Sequence, residues 1–108
     1  DMETPSSVSG IYARRRDIVI EGLREAGWVI DKPKATMFIW APIPKGWTSR
    51  QISREMLYET GVAVIPGDAF GEEGEGYVRI ALVQEEAVLR EAVSRISSFL
   101  RQNGCLFE

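Results

Sequence analysis

Two short apolar runs on either side of a loop rich in glycine and glutamate constrain the fold of this chain most strongly. The runs are residues 62–65 and 77–82. The first is followed by Pro66 and Gly67, which favour a turn because Pro fixes its own φ and Gly tolerates positive φ. Runs of this length, bounded by turn residues, are typical of β-strands. The chain is therefore predicted to contain a small β-sheet.

The second run carries a charge among its apolar residues. Side chains alternate between the two faces of a strand, so Val78, Ile80 and Leu82 form an apolar stripe suited to a core. The opposite face is mixed and contains Arg79. A guanidinium keeps its charge, and its burial without a partner is costly. Arg79 therefore either faces solvent or binds an anion, and the pattern alone favours solvent.

The loop between the two runs is predicted to be a solvated connection. Its glycines, Gly71, Gly74 and Gly76, suggest a phosphate-binding loop at first sight. Their spacing fits neither the dinucleotide-binding pattern nor the P-loop pattern. The glutamates between them would also repel a phosphate.

Three helical segments accompany the strands. Apolar residues recur at helical spacing from Val8 to Ala26, with Gly27 placed to end that helix. Thr48 and Gln51 have the spacing of a capping box at the start of a second helix, which Gly61 ends. The strongest amphipathic pattern covers residues 88–100.

Further strands are predicted at residues 28–30 and 37–40. The predicted order is α-β-β-α-β-β-α. The fold class is therefore α/β, of the two-layer α+β kind, with a small, mostly antiparallel sheet and the helices on one face.

Composition excludes several classes of function. The chain has 108 residues, 44% hydrophobic and 27% charged, which suits one globular domain. The net charge of −3 and the absence of a basic face argue against nucleic-acid binding, and the run Arg14–Arg16 is predicted to be a solvated helix face. No apolar run is long enough to span a membrane. Cys105 is the single cysteine, so no internal disulfide and no metal site is expected, and the chain is predicted to be cytoplasmic.

Several motifs in register resemble a known family. Residues 61–71 and 76–82, joined by the short Gly/Glu loop, resemble the C-terminal region of pyridoxal-phosphate-dependent aminotransferases of class I/II, fold type I. Residues 12–17 and 33–42 are similar to the same region in the same order. The resemblance covers roughly residues 10–100 and is nearest to LL-diaminopimelate, alanine and aspartate aminotransferases.

The resemblance implies a role for Arg79. In this family the arginine of the corresponding strand binds the α-carboxylate of the amino-acid substrate, and a planar guanidinium suits that task because it can donate two parallel hydrogen bonds. Asp68 and Phe70 lie in a turn that comes near the active site in the family, so the resemblance allows weak substrate contacts there, and Asp68 could bias specificity if it points inward. Trp28, Trp40 and Trp47 are predicted to serve the core or a domain contact, and Trp47 to act as a hydrophobic staple before the second helix.

The catalytic lysine of the family has no counterpart in this sequence. The lysines are Lys32, Lys34 and Lys45, all in turns around prolines, and histidine is absent. We therefore expect no catalytic residue, no cofactor-binding residue and no metal ligand in this chain. The resemblance implies that pyridoxal phosphate belongs to a large domain of the same polypeptide, outside this sequence, and that the intact enzyme is a homodimer.

These expectations define a domain scheme and two functional hypotheses. Residues 1–9 are predicted to be a linker or the remnant of an upstream segment, residues 10–104 the aminotransferase C-terminal small domain, and residues 105–108 a tail. Under the first hypothesis the intact enzyme transfers an amino group from an amino acid to a 2-oxo acid, and the isolated domain is inactive. The alternative is a stand-alone α/β carboxylate-binding or regulatory module without catalysis.

Overall fold

A computed structural model describes residues 8–33 and 37–107 of the chain. Within these residues, three helices and three strands follow one another in the order α-β-α-β-β-α. Two short 3-10 turns, Gly67–Phe70 and Glu72–Gly74, lie between the last two strands. The elements are α1 (Val8–Glu25), β1 (Phe38–Pro42), α2 (Ser49–Thr60), β2 (Ile65–Pro66), β3 (Tyr77–Ala81) and α3 (Glu86–Gln102).

The start and end of α2 confirm the local sequence prediction. The Thr48 hydroxyl accepts a hydrogen bond from the Gln51 backbone N–H at 3.1 Å, and the Gln51 side chain accepts one from the Thr48 backbone N–H at 3.4 Å. Two backbone donors of the first turn are thereby satisfied. Gly61 ends the helix with φ 77°, a left-handed conformation that favours glycine.

The sheet is antiparallel and has β3 at its centre, in the order β1-β3-β2. The predicted stripe is confirmed, because Val78, Ile80 and Leu82 are all buried. All three helices contribute to the same core as this stripe, so they cover one face of the sheet, as predicted. The core includes Leu23 of α1, Met56 of α2 and Phe99 of α3, together with Ile39, Ala41 and Ile52 and others.

Helices α1 and α3 pack side by side and run in the same direction. Arg14 pairs with Glu86 near their beginnings, and Gly22 lies against Val93 farther along. A Cβ at Gly22 would lie 2.6 Å from Val93 Cγ1, so glycine allows this close approach.

The predicted strand at residues 28–30 is not formed in the structure. The Trp28 backbone N–H donates to Leu23 O at 2.9 Å and closes the end of α1. The Trp28 indole N–H donates to Pro42 O at 2.8 Å. The segment is therefore held by a buried tryptophan rather than by strand pairing. The first apolar run also forms less strand than predicted, since only Ile65 and Pro66 pair with β3.

The structure describes only part of the two terminal segments in the predicted domain scheme. Residues 1–7 and 108 lie outside the described residues, and α1 already includes Val8. At the other end, Phe107 stacks on Trp28 with ring centroids 5.2 Å apart. The segment after α3 thus packs back onto the domain. Within residues 8–33 and 37–107, no helix is long and apolar enough to cross a membrane.

Candidate functional site

Arg79 occupies the middle of the central strand, on the face opposite the helices. Trp40 of β1 and Ile65 of β2 are its partners in register, so the three side chains form a row across the sheet. Tyr77 lies on the same face and is 45% exposed, while Trp40 is 44% exposed. This face is the open side of the sheet, as the alternation predicts.

The guanidinium of Arg79 is enclosed by two aromatic rings. Its Cζ lies 3.8 Å from the centroid of the Phe38 ring and 4.0 Å from that of the Phe70 ring. A cation stacked on aromatic faces is attracted by their quadrupoles, by about 0.5–1 kcal/mol at an exposed site and more when water is excluded. The arginine is therefore held in place by stacking.

Hydrogen-bonding capacity remains on Arg79 after this stacking. Its Nε is buried and has no hydrogen-bond partner. Among the residues that the structure describes, no carboxylate lies within ion-pairing distance of its guanidinium. A half-buried cation without a counter-ion can bind an incoming anion without first breaking an internal ion pair.

An aromatic cleft lies beside the arginine. Trp40 packs edge-on against Phe70, with centroids 5.5 Å apart, and against Tyr77, with centroids 6.5 Å apart. The cleft has a volume of about 370 Å³ and is also bordered by Glu73 and Gly74. Sequence reasoning expected Phe70 near the active site but did not predict that Phe70 and Phe38 stack on Arg79, because this stacking depends on how the loop folds over the strand.

The loop that carries Phe70 is exposed along most of its length, as predicted, and it also has a defined structure. Its two 3-10 turns cross at Gly67 and Gly74. A Cβ on Gly67 would lie 2.0 Å from the carbonyl oxygen of Gly74, and a Cβ on Gly74 would lie 2.0 Å from that of Gly67. Only glycine at both positions allows the two backbones to approach so closely.

Glu75, at the end of this loop, binds the first turn of α2. Its carboxylate accepts hydrogen bonds from the Ser49 backbone N–H at 2.9 Å, from the Ser49 hydroxyl at 3.0 Å and from the Gly76 backbone N–H at 3.0 Å. The bond from the Ser49 backbone lowers the pKa of Glu75 most, and the Ser49 hydroxyl adds to this effect. Sequence reasoning missed this residue, because Ser49 lies 26 positions away along the chain.

Asp68 is engaged with α2 as well. Its carboxylate accepts a hydrogen bond from Arg50 Nε at 2.7 Å and lies 3.4 Å from the Ser49 hydroxyl oxygen. The side chain thus serves the attachment of the loop. Trp28 is fully buried and Trp47 packs edge-on against Phe99, which confirms core roles for both, whereas Trp40 belongs to the open face.

Comparison with known families identifies the chain. The model of the family "Aminotransferase class I and II" matches residues 6–96. The chain belongs to this family. The resemblance noted in the sequence is thereby confirmed, and the match extends over most of the chain.

Similar proteins include several aminotransferases with different substrates in their names. LL-diaminopimelate aminotransferase of Moorella thermoacetica is 42% identical over 95 residues, which are 88% of this chain and 24% of that protein. Glutamate-pyruvate aminotransferase of Escherichia coli is 37% identical over 109 residues, covering 98% and 26%. A crystal structure of an aromatic aminotransferase from Pyrococcus horikoshii superposes with a TM-score of 0.83 at 42% identity, covering 88% of this chain and 26% of that one. The chain thus spans about a quarter of the length of these class I and II aminotransferases.

The described lysines do not fit a cofactor-binding role. Pyridoxal phosphate is the cofactor expected of this family, and a lysine that binds it covalently needs a desolvated amine. Lys32 Nζ instead forms an ion pair with Asp17 at 2.9 Å, and Lys45 is exposed in a turn. Lys34 lies outside the described residues. No group of three metal-ligating side chains was found in residues 8–33 and 37–107.

Proposed function

We propose that this chain contributes Arg79 to the substrate site of a pyridoxal-phosphate-dependent aminotransferase, where the guanidinium binds the α-carboxylate of the substrate. The intact enzyme transfers an amino group from an amino acid to a 2-oxo acid and acts as a homodimer. The cofactor and the catalytic lysine belong to a large domain of the same polypeptide, outside this sequence. The 108-residue chain alone is then inactive.

The position of Arg79 carries this proposal. The guanidinium stands on the open face of the sheet between Phe38 and Phe70, and no carboxylate of the described residues pairs with it. Its planar fork can donate two parallel hydrogen bonds to one carboxylate. Each charge-assisted hydrogen bond contributes roughly 1.5–3 kcal/mol, which is enough to orient a small substrate.

An α-carboxylate is the part that all amino-acid and 2-oxo-acid substrates share. Arg79 therefore supports binding of the whole substrate class and does not select one side chain. The relatives agree with this interpretation, since their names refer to LL-diaminopimelate, to glutamate and pyruvate, and to aromatic substrates.

The proposal is tested by replacing Arg79 in the full-length protein that contains this sequence. For Arg79→Lys we expect kcat/KM to fall roughly ten- to hundredfold for donor and acceptor alike, because a charge-assisted hydrogen bond and the fixed fork are lost. Arg54→Lys is the matched control, since Arg54 is exposed and only weakly paired with Glu55 at 3.8 Å.

Two results would contradict the proposal in different ways. Unchanged kcat/KM in both Arg79→Lys and Arg79→Ala would exclude a role in substrate binding. Transaminase activity of the 108-residue chain with added pyridoxal phosphate would exclude the division between two domains. Carboxylate binding by a complete protein of this length without activity would instead support the stand-alone binding module.

A further inference from the structure

The two rings that enclose Arg79 come from different kinds of structure. Phe38 belongs to β1, which pairs with β3 along five residues in register. Phe70 ends the first 3-10 turn of the loop and is 48% exposed. One wall of the arginine site is therefore part of the sheet, and the other depends on how the loop is held.

The loop is held by α2 at two points. Glu75 accepts hydrogen bonds from the backbone and the hydroxyl of Ser49, and Asp68 pairs with Arg50 at 2.7 Å. Ser49 is completely buried, so it offers a fixed anchor. Its backbone N–H belongs to the first turn of α2 and has no partner within the helix, so a carboxylate stabilises this end of the helix.

The Glu75 carboxylate also binds its own strand. It accepts a hydrogen bond from the Gly76 N–H, directly before β3 begins at Tyr77. A single side chain thus joins the start of α2, the end of the loop and the start of the strand that carries Arg79. Loss of this carboxylate frees the loop at the end nearest to the arginine.

We propose that Glu75 is a positioning residue for Arg79: by holding the loop on α2, it keeps Phe70 stacked on the guanidinium. The stacking fixes the direction of the guanidinium fork before any ligand arrives. That this fork receives a substrate carboxylate rests on the function proposed above, whereas the link between Glu75, Phe70 and Arg79 does not.

The hydrogen bonds and charges around Glu75 predict how its hold on the loop depends on pH. The Ser49 backbone, the Ser49 hydroxyl and the Gly76 backbone lower its pKa below the ordinary 4.5, although burial and the charge of Asp68 act in the opposite direction. Asp68 is itself paired with Arg50, and Glu72 and Glu73 are the other charges of the loop. Since the folded pKa is lowered, the link is complete above pH 4.5 and is lost as the pH falls through the lower, folded value.

Nuclear magnetic resonance of the 108-residue chain tests the proposal without any ligand. The Arg79 Nε–H is assigned by its disappearance in Arg79→Lys, and the two stacked rings are expected to displace its signal upfield. In Glu75→Gln we expect the part of this displacement that comes from Phe70 to be lost, while the part from Phe38 and the dispersion of the core amides remain. Glu72→Gln is the matched control, because it removes the same charge from the same loop at an exposed position.

An unchanged Arg79 signal in Glu75→Gln would overturn the proposal, and so would an equal loss in Glu72→Gln. If Glu75→Gln does not fold, a pH series of nuclear magnetic resonance spectra of the wild-type chain tests the proposal instead. The chemical shifts of the Glu75 carboxyl carbon and of the Arg79 Nε–H must then change with pH around one shared midpoint, which lies below the ordinary pKa of a glutamate. Separate midpoints would overturn the link. Unchanged kcat/KM in the Arg79 variants, which would refute the proposed function, would leave this result unaffected, so the two proposals fail separately.

Discussion

Arg16 shows how neighbouring segments decide the environment of a single side chain. The run Arg14–Arg16 was predicted to be a solvated helix face, and this holds only for Arg14. Arg16 is 8% exposed, and it donates hydrogen bonds to Pro33 O at 3.0 Å and to Asp17 at 3.2 Å. The segment that follows α1 packs against the helix and buries Arg16. The sequence of the helix itself gives no indication of this contact.

Gly67 gives a prediction at the same scale. Replacement by alanine would place a Cβ 2.0 Å from the carbonyl oxygen of Gly74, which is backbone and cannot rotate away. We expect Gly67→Ala to lower the free energy of unfolding by roughly 1–3 kcal/mol or more, as overpacked sites do. Urea unfolding measures the loss.

The exposed Glu72 of the same loop provides the control for this substitution. Glu72→Ala changes the side chain without touching the crossing of the two turns, so its unfolding midpoint should stay close to that of the parent chain. Equal stability of Gly67→Ala and Glu72→Ala would show that the loop can move apart at this point.

At the scale of whole elements, α2 is the helix whose start and end are both set by capping residues that the sequence predicts. The capping box at Thr48 and Gln51 and the left-handed Gly61 were predicted from the sequence, because each device acts within four residues of its partner. The strand at residues 28–30 could not be excluded in the same way. Its alternating burial resembles a strand, but its tryptophan is bonded to Pro42, which lies 14 positions away.

The capping box leads to a measurable expectation. Thr48→Ala removes the acceptor for the Gln51 N–H and should cost about 1 kcal/mol of unfolding free energy. Thr48→Ser keeps a hydroxyl at the same position and should retain most of the stability. Thermal or urea unfolding of the three chains compares them, and equal losses in both variants would assign the effect to the lost methyl group.

At the scale of the whole molecule, the end of the chain takes part in the fold. Phe107 stacks on Trp28, and the Lys45 backbone N–H donates to Leu106 O at 2.7 Å. These contacts connect the segment after α3 to the end of α1 and to the turn after β1. The tail predicted at residues 105–108 therefore contributes packing over the part that the structure describes.

Removal of the Phe107 ring should lower the stability of the whole fold. We expect Phe107→Ala to lower the free energy of unfolding by about 1–2 kcal/mol, through lost apolar contact and a lost aromatic pair. Leu106→Ala is the matched control, because Leu106 is 69% exposed. The intrinsic tryptophan fluorescence during urea unfolding gives the midpoints of both variants, and an unchanged midpoint in Phe107→Ala would mean that the stacking adds no stability.

The sequence predicted the strand face on which Arg79 lies but not the contacts that surround it. Alternation along β3 placed Arg79 on the open face, and the resemblance to a family suggested what it binds. The stacking of Phe70 on Arg79 and the contacts of Glu75 were missed, because they exist only after two glycines have brought the loop back on itself. Such contacts depend on tertiary structure and leave no periodic signal.

The crossing of the loop at Gly67 and Gly74 also limits how this protein can change by mutation. Neither glycine can gain a side chain, and a change in the number of residues between them would shift the crossing. Glu72 and Glu73 are free of this limit because they are exposed, and Glu73 borders the cleft beside Trp40 and Phe70. Descendants of this sequence can therefore alter the rim of the cleft in small steps while the arginine site keeps its shape.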